Sequence, residues 1–402
     1  MAIFRFLLVL TLLFAAGHPA FAGLLSEPTV GGHLKTFNIG YEKAPSSILQ
    51  NGFFSANSQR FELKGNLSDS IDLEFALENL LLYSDPPAQI TLPTDSPNQK
   101  VDLTHDWNRD HRWSDRLRID RLALKGRFTN FDWSLGRQAI GFGRIVIFSP
   151  LDVVAPFAPD ALDSDNRPGV DALRVVHYFG LGGQIGATVV FGTQPENNSY
   201  LLTLSDNRSG IDLLGIGGIL RDRELIGLGL AGNLGPLGVK IEAGHYNGKN
   251  FGLPGGDLHE EFTIGALELW YRFPSGMVLL SQYLYNGAGA SSPIDYAAAA
   301  TSATFQEGLS FLLGQQYLLL GPSWELHPLA TLSGLLIWNI DDNSALIRPQ
   351  IKFSLGNNLS LDLFYSFNSG KKPQTVAPSI FIPQSEFGSA ADSGGLLLRW
   401  YF

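Results

Sequence analysis

The sequence has 402 residues, with 38 acidic and 28 basic side chains and a formal net charge of −10. It contains no cysteine, which excludes disulfides, thiolate metal sites and covalent attachment of c-type haem to this chain. The acidic balance argues against a nucleic-acid partner, because phosphate binding needs a basic surface.

The first 22 residues have the organisation of a secretory signal. Arg5 precedes an apolar segment at residues 6–16, and Ala20-Phe21-Ala22 provides a small-x-small cleavage site. An N-terminal anchor helix is the alternative, but the apolar run is shorter than the ~20 residues that a membrane span needs. We therefore predict a signal peptide at residues 1–22 and a β-barrel at residues 23–402.

Apolar and polar side chains alternate with a period of two along several segments, which is the spacing of a strand with one apolar face. The clearest segments are residues 60–67, 71–78, 347–355 and 359–367. Short turns separate them from longer polar or Gly/Pro-rich stretches at residues 42–58, 83–115, 141–170, 193–222, 248–259, 287–311 and 368–393. Short turns that alternate with long loops are typical of an outer-membrane barrel.

Counting from a first strand at residues 34–41 to the C-terminus predicts an all-β fold, a transmembrane antiparallel β-barrel of about 16 strands. Residues 211–220 are ambiguous, since they fit either a hairpin within a loop or an extra strand pair, which would make the count 18. A soluble β-sandwich or jelly roll shows the same alternation. The unequal connections and the aromatic residues near strand ends favour the membrane barrel.

The stretch at residues 136–174 is the most distinctive internal segment. It contains Gly136-Arg137-Gln138, Gly141-Phe142-Gly143-Arg144, an apolar run at residues 145–157, and Arg167-Pro168-Gly169-Val170-Asp171-Ala172-Leu173-Arg174. It resembles proteobacterial porin-like barrels, akin to the alginate-export and phosphate-selective porin groups, and the porin resemblance implies a homotrimer. The loop at residues 141–170 is too apolar to hang freely in water, so we expect it to fold inward and constrict the lumen. A cap over the mouth or a contact with a neighbouring subunit is the alternative.

The polar faces of the predicted strands would line the lumen with charges of both signs, which is a plausible permeation filter. Mutual neutralisation in a closed or water-filled lumen is the alternative. Arg137 shares the phase of outward residues, so we expect it to reach the outer headgroups or to follow a β-bulge. The candidate pore-lining and constriction residues are Arg60, Lys64, Glu74, Arg121, Lys125, Arg127, Arg144, Asp152, Asp163, Asp165, Arg167, Arg174, Arg348, Lys352 and Arg399.

Motifs for catalysis or cofactor binding have little support. The run Gly227-Leu228-Gly229-Leu230-Ala231-Gly232 matches a dinucleotide fingerprint, but it lies within a strand pattern with no following helix, and small residues on a packed strand explain it better. His105 and His111, with Asp102, Asp106 and Asp110, could bind a divalent cation, although a solvated acidic loop is the preferred interpretation. There is no G-x-S-x-G elbow. We expect no enzyme activity, no cofactor and no metal.

The chain ends with Leu396, Leu398, Trp400 and Phe402 at alternate positions and with Arg399 on the opposite face. This ending resembles the C-terminal signal of Gram-negative outer-membrane proteins, which implies recognition by the barrel-assembly machinery and contact with outer-membrane lipid and lipopolysaccharide. The sequence therefore predicts a porin-like channel in the outer membrane that passes small hydrophilic solutes or ions by diffusion. Two alternatives remain open: a sheath around a partner such as a multihaem cytochrome, whose haem would belong to the partner, and an assembly barrel with a closed lumen.

Overall fold

The computed structural model describes residues 25–45, 50–87, 89–93, 96–109, 111–377 and 380–402, so the predicted signal peptide and Asp110 lie outside the described residues. Short helices occur at Pro195–Asn197, Pro293–Asp295, Tyr296–Thr301, Ala303–Gln306 and Phe387–Ser389. In the described chain no helix has both the length and the apolar character needed to cross a membrane. The strands are β1 (Ser26–Tyr41), β2 (Gly52–Ser68), β3 (Ile71–Asp85), β4 (Thr104–Trp107), β5 (Trp113–Phe128), β6 (Phe131–Gln138), β7 (Val170–Phe179), β8 (Gly183–Val190), β9 (Ser199–Arg208), β10 (Ile211–Leu220), β11 (Arg223–Leu234), β12 (Leu237–Asn247), β13 (Glu261–Arg272), β14 (Val278–Asn286), β15 (Gln316–His327), β16 (Ala330–Asn339), β17 (Ser344–Ser354), β18 (Leu359–Ser369), β19 (Gln374–Ala377), β20 (Ile380–Ile382) and β21 (Ser393–Tyr401).

Eighteen of these strands, all except β4, β19 and β20, form one closed antiparallel ring. Each ring strand pairs with the next one along the chain, and β21 closes the ring by pairing with both β18 and β1. Residues 211–220 form β10, which pairs with β9 and β11 as a full wall strand. The predicted barrel is therefore confirmed with the higher of the two predicted strand counts.

The two ends of the ring differ in their connections, as predicted. At one end, connections of two to five residues join the strands at residues 69–70, 129–130, 180–182, 209–210, 235–236, 273–277, 328–329 and 355–358. At the other end, longer loops predominate, with tight turns only at residues 221–222 and 340–343. The predicted long loop at residues 193–222 is instead the strand pair β9–β10, because Ser209 and Gly210 form a tight turn with positive φ angles.

Alternation along the strands separates an apolar outer face from an inner face rich in charge. In β21, for example, the Trp400 side chain lies outside and is 37% exposed, whereas Arg399 points inward and is 6% exposed. Strands β1, β2, β3 and β5 have 15 to 17 residues, and the other ring strands have 8 to 12. Towards the end with the longer loops, the outward side chains of these longer strands are mixed: Thr36, Asn38, Ser55, Asn57 and Asn79 are polar, whereas Phe53, Tyr83 and Trp113 are aromatic.

Strand β6 ends early, and another segment takes its place in the wall. After Gln138 the chain leaves the ring, and β4 pairs with β5 at that level. Two further backbone hydrogen bonds, both of 3.0 Å, join the segment before β4 to the neighbouring strands. Ile119 N of β5 donates to Leu103 O, and Asp171 N of β7 donates to Asn98 O. The wall therefore remains continuous although β6 has only eight residues.

The replacement segment corrects the prediction for Arg137. Its guanidinium neither reaches headgroups nor follows a bulge, because Nε donates to Asp171 at 2.8 Å and Nη2 donates to the Val101 carbonyl at 2.5 Å. Arg137 is 2% exposed. Next to it, Gly136 has a φ of 116°, and a Cβ there would lie 2.2 Å from the Leu122 carbonyl oxygen. Alternation alone placed Arg137 at the lipid surface because the covering segment comes from a distant part of the sequence.

Candidate functional site

Residues 139–169, which we call the inward loop, leave β6, enter the lumen and return to β7. Leu151, Val153 and Val154 are at most 2% exposed and belong to a cluster with inward side chains of the wall strands from β7 to β17. Gly227 and Gly229 of β11 make room for this packing, because a Cβ on Gly227 would lie 2.5 Å from Leu151 Cδ2. Two of the three glycines that mimic a dinucleotide fingerprint, Gly227 and Gly229, therefore provide space for the Leu151 side chain.

Three polar side chains on neighbouring strands hold the first half of the inward loop. Glu242 of β12 accepts hydrogen bonds from the Arg144 and Ile145 backbone N–H groups at 2.6 and 3.2 Å, and the Ser149 hydroxyl also donates to it. Glu268 of β13 accepts from Val146 N at 2.8 Å. Gln282 of β14 accepts from Phe148 N and donates to the Phe148 carbonyl. These side chains satisfy backbone groups that a buried loop would otherwise leave unpaired.

Ion pairs hold the second half of the inward loop on the opposite wall. The Lys35 ammonium lies 2.8 Å from Asp163 and 2.9 Å from Asp165, and the Lys35 side chain is only 1% exposed. The Tyr401 hydroxyl also donates to Asp165, and Arg399 donates to the Leu162 carbonyl while pairing with Asp362. Burial opposes ionisation of Asp165, but the hydrogen bonds from Tyr401 and Lys35 hold its pKa well below the usual range.

The inward loop is also tied to itself and to β5 where it returns to the wall. Arg167 pairs with Asp152 at 2.5 Å, and Arg121 of β5 donates to the Arg167 carbonyl. Burial raises the pKa of Asp152 to about 6, although the Arg167 guanidinium favours its ionised form. Asp120, at a bulge in β5, accepts from Gly169 N at 2.9 Å and pairs with Arg60 at 2.6 Å.

Charged side chains line the lumen between the inward loop and the short-turn end. Arg127, Lys64 and Lys125 are 71%, 55% and 45% exposed, whereas their partners Asp72 and Glu74 are 29% and 17% exposed. A cavity of about 440 Å³ lies in this region, and Lys125, Arg127 and Arg174 border it together with Asp72 and Asp132. The cations therefore present more accessible charge to a solute than the carboxylates do.

A second polar cluster lies near the mouth and joins three loops. The Glu386 carboxylate accepts hydrogen bonds from Leu313 N at 2.8 Å, Tyr317 Oη at 2.6 Å and Asn339 Nδ2 at 2.8 Å. Asp342 accepts from Glu386 N and from the Tyr296 hydroxyl. Burial raises the pKa of Glu386 to about 7, and these hydrogen bonds offset the effect only in part.

The fifteen predicted site residues fall into four groups. Asp152, Asp163, Asp165, Arg144 and Arg167 belong to the inward loop, and Arg121, Arg348 and Arg399 of the wall donate hydrogen bonds to its backbone carbonyls. Arg60 reaches the inward loop only through Asp120. The remaining residues lie on inward faces of the wall without a hydrogen bond or ion pair to the inward loop, and they are Lys64, Glu74, Lys125, Arg127, Arg174 and Lys352.

The predicted site residues do not include five anchors of the inward loop, which are Lys35, Asp120, Glu242, Glu268 and Gln282. Alternation gave no signal for Lys35, because in the predicted first strand it shares its phase with apolar Phe37 and Ile39. Asp120 lies at a bulge, which breaks the alternation, and Gln282 has no charge to draw attention.

The His and Asp residues of the loop before β5, which could have formed a cation site, have other partners in the structure. Asp106 hydrogen-bonds to Arg116 at 2.7 Å and to Arg109 at 2.5 Å, and His105 packs edge-on against Trp107. Across the part of the chain that the structure describes, no cluster of three His or acidic residues has the arrangement of a metal site.

Comparisons with known proteins identify the fold. No protein-family model matches the sequence, and no curated protein sequence matches it either. Solved structures do match: a BenF-like porin from Pseudomonas fluorescens Pf-5 has a TM-score of 0.58 at 11% identity and covers 94% of this chain and 100% of that chain. Acinetobacter baumannii OccAB4 has a TM-score of 0.60 at 9% identity, with 94% and 98% covered. Pseudomonas aeruginosa OccK8 (OprE) has a TM-score of 0.56 at 12% identity, with 94% and 99% covered. At such low identity the likeness shows a shared barrel fold.

Proposed function

We propose that the protein is a passive channel in the outer membrane of a Gram-negative bacterium and that small hydrophilic solutes pass between the inward loop and the wall. The observation that carries this proposal is the attachment of the inward loop to opposite sides of the lumen, by Glu242 on one side and by Lys35 on the other. An apolar outer face around a charged lumen is what a water-filled barrel in a membrane requires. The short-turn end, where the chain terminates, is the periplasmic end in this arrangement.

The exposed charges favour anionic solutes. On the wall between the inward loop and the short-turn end, Arg127, Lys64 and Lys125 remain accessible although each has a carboxylate partner. Within the described chain Arg174 has no ion pair at all. Accessible cations on one side of the lumen lower the electrostatic barrier for anions and raise it for cations.

Removal of the middle of the inward loop tests the channel and its constriction together. We expect the purified protein to give stable stepwise conductance in planar bilayers, and a variant that lacks residues 149–165 to give larger steps. Absence of conductance in the intact protein would contradict the channel. Equal steps in both proteins would contradict the constriction.

The sheath alternative has less support than the channel. A partner protein inside the barrel would need the space that the inward loop occupies, since Leu151, Val153 and Val154 pack there against the wall. Purification without haem absorbance, combined with conductance, would exclude it. We propose no catalytic activity, because most of the charged lumen residues hold the inward loop or form exposed ion pairs.

We further propose a homotrimer and delivery by the barrel-assembly machinery through β21, on the strength of the sequence resemblances. Light scattering of the detergent-solubilised protein tests the trimer, and a monomeric mass would contradict it. Loss of membrane insertion on Phe402→Ala, with Phe179→Ala as a control at another exposed aromatic, tests the role of the C-terminal strand.

A further inference from the structure

The outer face of the ring has a groove where three neighbouring strands carry proline or glycine. Pro322 of β15, Gly334 of β16 and Pro349 of β17 lie side by side: Gly334 pairs with Pro349, and a Cβ on Gly334 would lie 3.5 Å from Pro322 Cγ. Proline has no N–H to donate to a neighbouring strand, and glycine has no side chain to fill the surface. The β15–β16 and β17–β18 ladders are both interrupted at this level.

The groove has a volume of about 450 Å³, within the size range of small-molecule sites. Its sides consist of outward apolar side chains, among them Leu279, Trp324, Ile347 and Phe367. Arg348 also borders the groove, but its guanidinium points away to Ser366 and the Asp160 carbonyl on the lumen side. The accessible lining is therefore suited to a hydrocarbon and offers no charge to a polar ligand.

The groove opens outward only. On the lumen side, Ile147 of the inward loop lies 3.6 Å from the position of a Cβ on Gly321, directly behind the interrupted ladder. Leu335 packs against the buried cluster from the same side. The interrupted wall is thus backed by apolar side chains, so a molecule in the groove is separated from the aqueous lumen.

The depth of the groove identifies the leaflet that it faces. Met277, in the turn between β13 and β14, forms its lower border at the short-turn end. We propose that the groove binds one acyl chain of a phospholipid from the periplasmic leaflet, an inference that rests on the outer-membrane placement proposed above. Lipopolysaccharide lies in the opposite leaflet, so it is not the expected occupant.

Filling the groove tests this site. The variants are Gly334→Leu and, from the opposite side of the groove, Ile347→Trp. The matched control is Gly265→Leu, at an outward glycine of β13 whose Cβ would have its nearest neighbours at 3.7 Å and which borders none of the grooves described. Native mass spectrometry of protein extracted from membranes in mild detergent counts the bound phospholipid. Heat-modifiable electrophoretic mobility checks that each variant is folded, and bilayer conductance tests the channel separately.

We expect the wild type and Gly265→Leu to retain one phospholipid, and both filling variants to show about tenfold lower occupancy. Equal occupancy in all four proteins would overturn the proposal, and so would a retained lipopolysaccharide in place of phospholipid. If lipid retention follows the expected pattern while no protein conducts, the channel proposal fails and the lipid site stands. If all conduct but retention is uniform, the lipid site alone fails.

Discussion

At the scale of single residues, Lys35 shows how one buried cation can position a loop from another part of the chain. Its ammonium contacts Asp163 and Asp165, which lie about 130 residues later in the sequence. Because Lys35 is nearly inaccessible, its charge is tolerable only while both carboxylates remain close. The ion pairs therefore link folding of β1 to the position of the inward loop.

We expect Lys35→Met to loosen the second half of the inward loop and to increase both conductance and current noise. The loss of stability should be of the order of 2 kcal/mol, since Asp165 is partly exposed and keeps its bond from Tyr401. Single-channel recording and urea unfolding in detergent measure the two effects. Arg208→Met, which removes an exposed outer ion pair with Asp206, is the control and should change neither.

Glu386 predicts a pH dependence at the mouth. Its pKa is about 7 when the loops are closed and near 4.5 when they open, so the closed state holds a proton that the open state releases. Closure is therefore favoured most below about pH 4.5, and this advantage, at most about 3 kcal/mol, is lost as the pH rises through 7. We expect slower hydrogen exchange in residues 287–315 and 370–392 at pH 5 than at pH 8.

Glu386→Gln isolates this effect, because the amide keeps a carbonyl acceptor but cannot ionise. The variant should show little difference in loop protection between the two pH values, after correction for intrinsic exchange rates. A pH dependence as large as that of the wild type would assign the effect to other groups, of which Asp342 is the nearest acid.

At the scale of elements, the inward loop can leave the wall because β4 takes the place beside β5 that a longer β6 would occupy. A strand that leaves the wall exposes unpaired backbone groups, and these would be costly in the membrane. Residues 97–107 satisfy them from a loop that precedes β5. Alternation of apolar and polar residues predicted most wall strands, because it depends only on the local sequence. It carries no information about such long-range pairing. For the same reason it misplaced Arg137 and overlooked Asp120.

Gly136→Ala tests the departure from the wall. The φ of 116° disfavours any side chain, and the Leu122 carbonyl occupies the space of a Cβ. We expect a loss of about 1–3 kcal/mol in the free energy of unfolding, measured by urea titration in detergent. Gly265→Ala, where a Cβ has room, should be close to neutral. Equal stability of the two variants would show that the backbone at Gly136 relaxes without cost.

At the scale of the whole molecule, one side of the lumen packs against the inward loop through apolar side chains, and the other side carries accessible charged side chains. Strands β7 to β17 pack against the inward loop through buried apolar side chains, whereas β1 to β5 contribute most of the accessible ions. Selectivity should therefore be tunable on the charged side without loss of the fold.

The double variant Lys125→Glu and Arg127→Glu should shift the reversal potential in a salt gradient towards cation preference, by several-fold in permeability ratio. High salt should reduce the difference, because these charges are exposed and are screened. Arg208→Glu, a charge reversal outside the lumen, is the control and should leave the reversal potential unchanged. An unchanged reversal potential would place the permeation path away from β5.

The unequal strand lengths make the two ends of the barrel uneven. At the mouth β1 and β21 end together, since Tyr41 pairs with Ser393, whereas residues 26–32 of β1 extend past Tyr401 at the short-turn end. In the proposed orientation this extension of β1 lies on the periplasmic side, so soluble macromolecules of that compartment meet this edge of the barrel first.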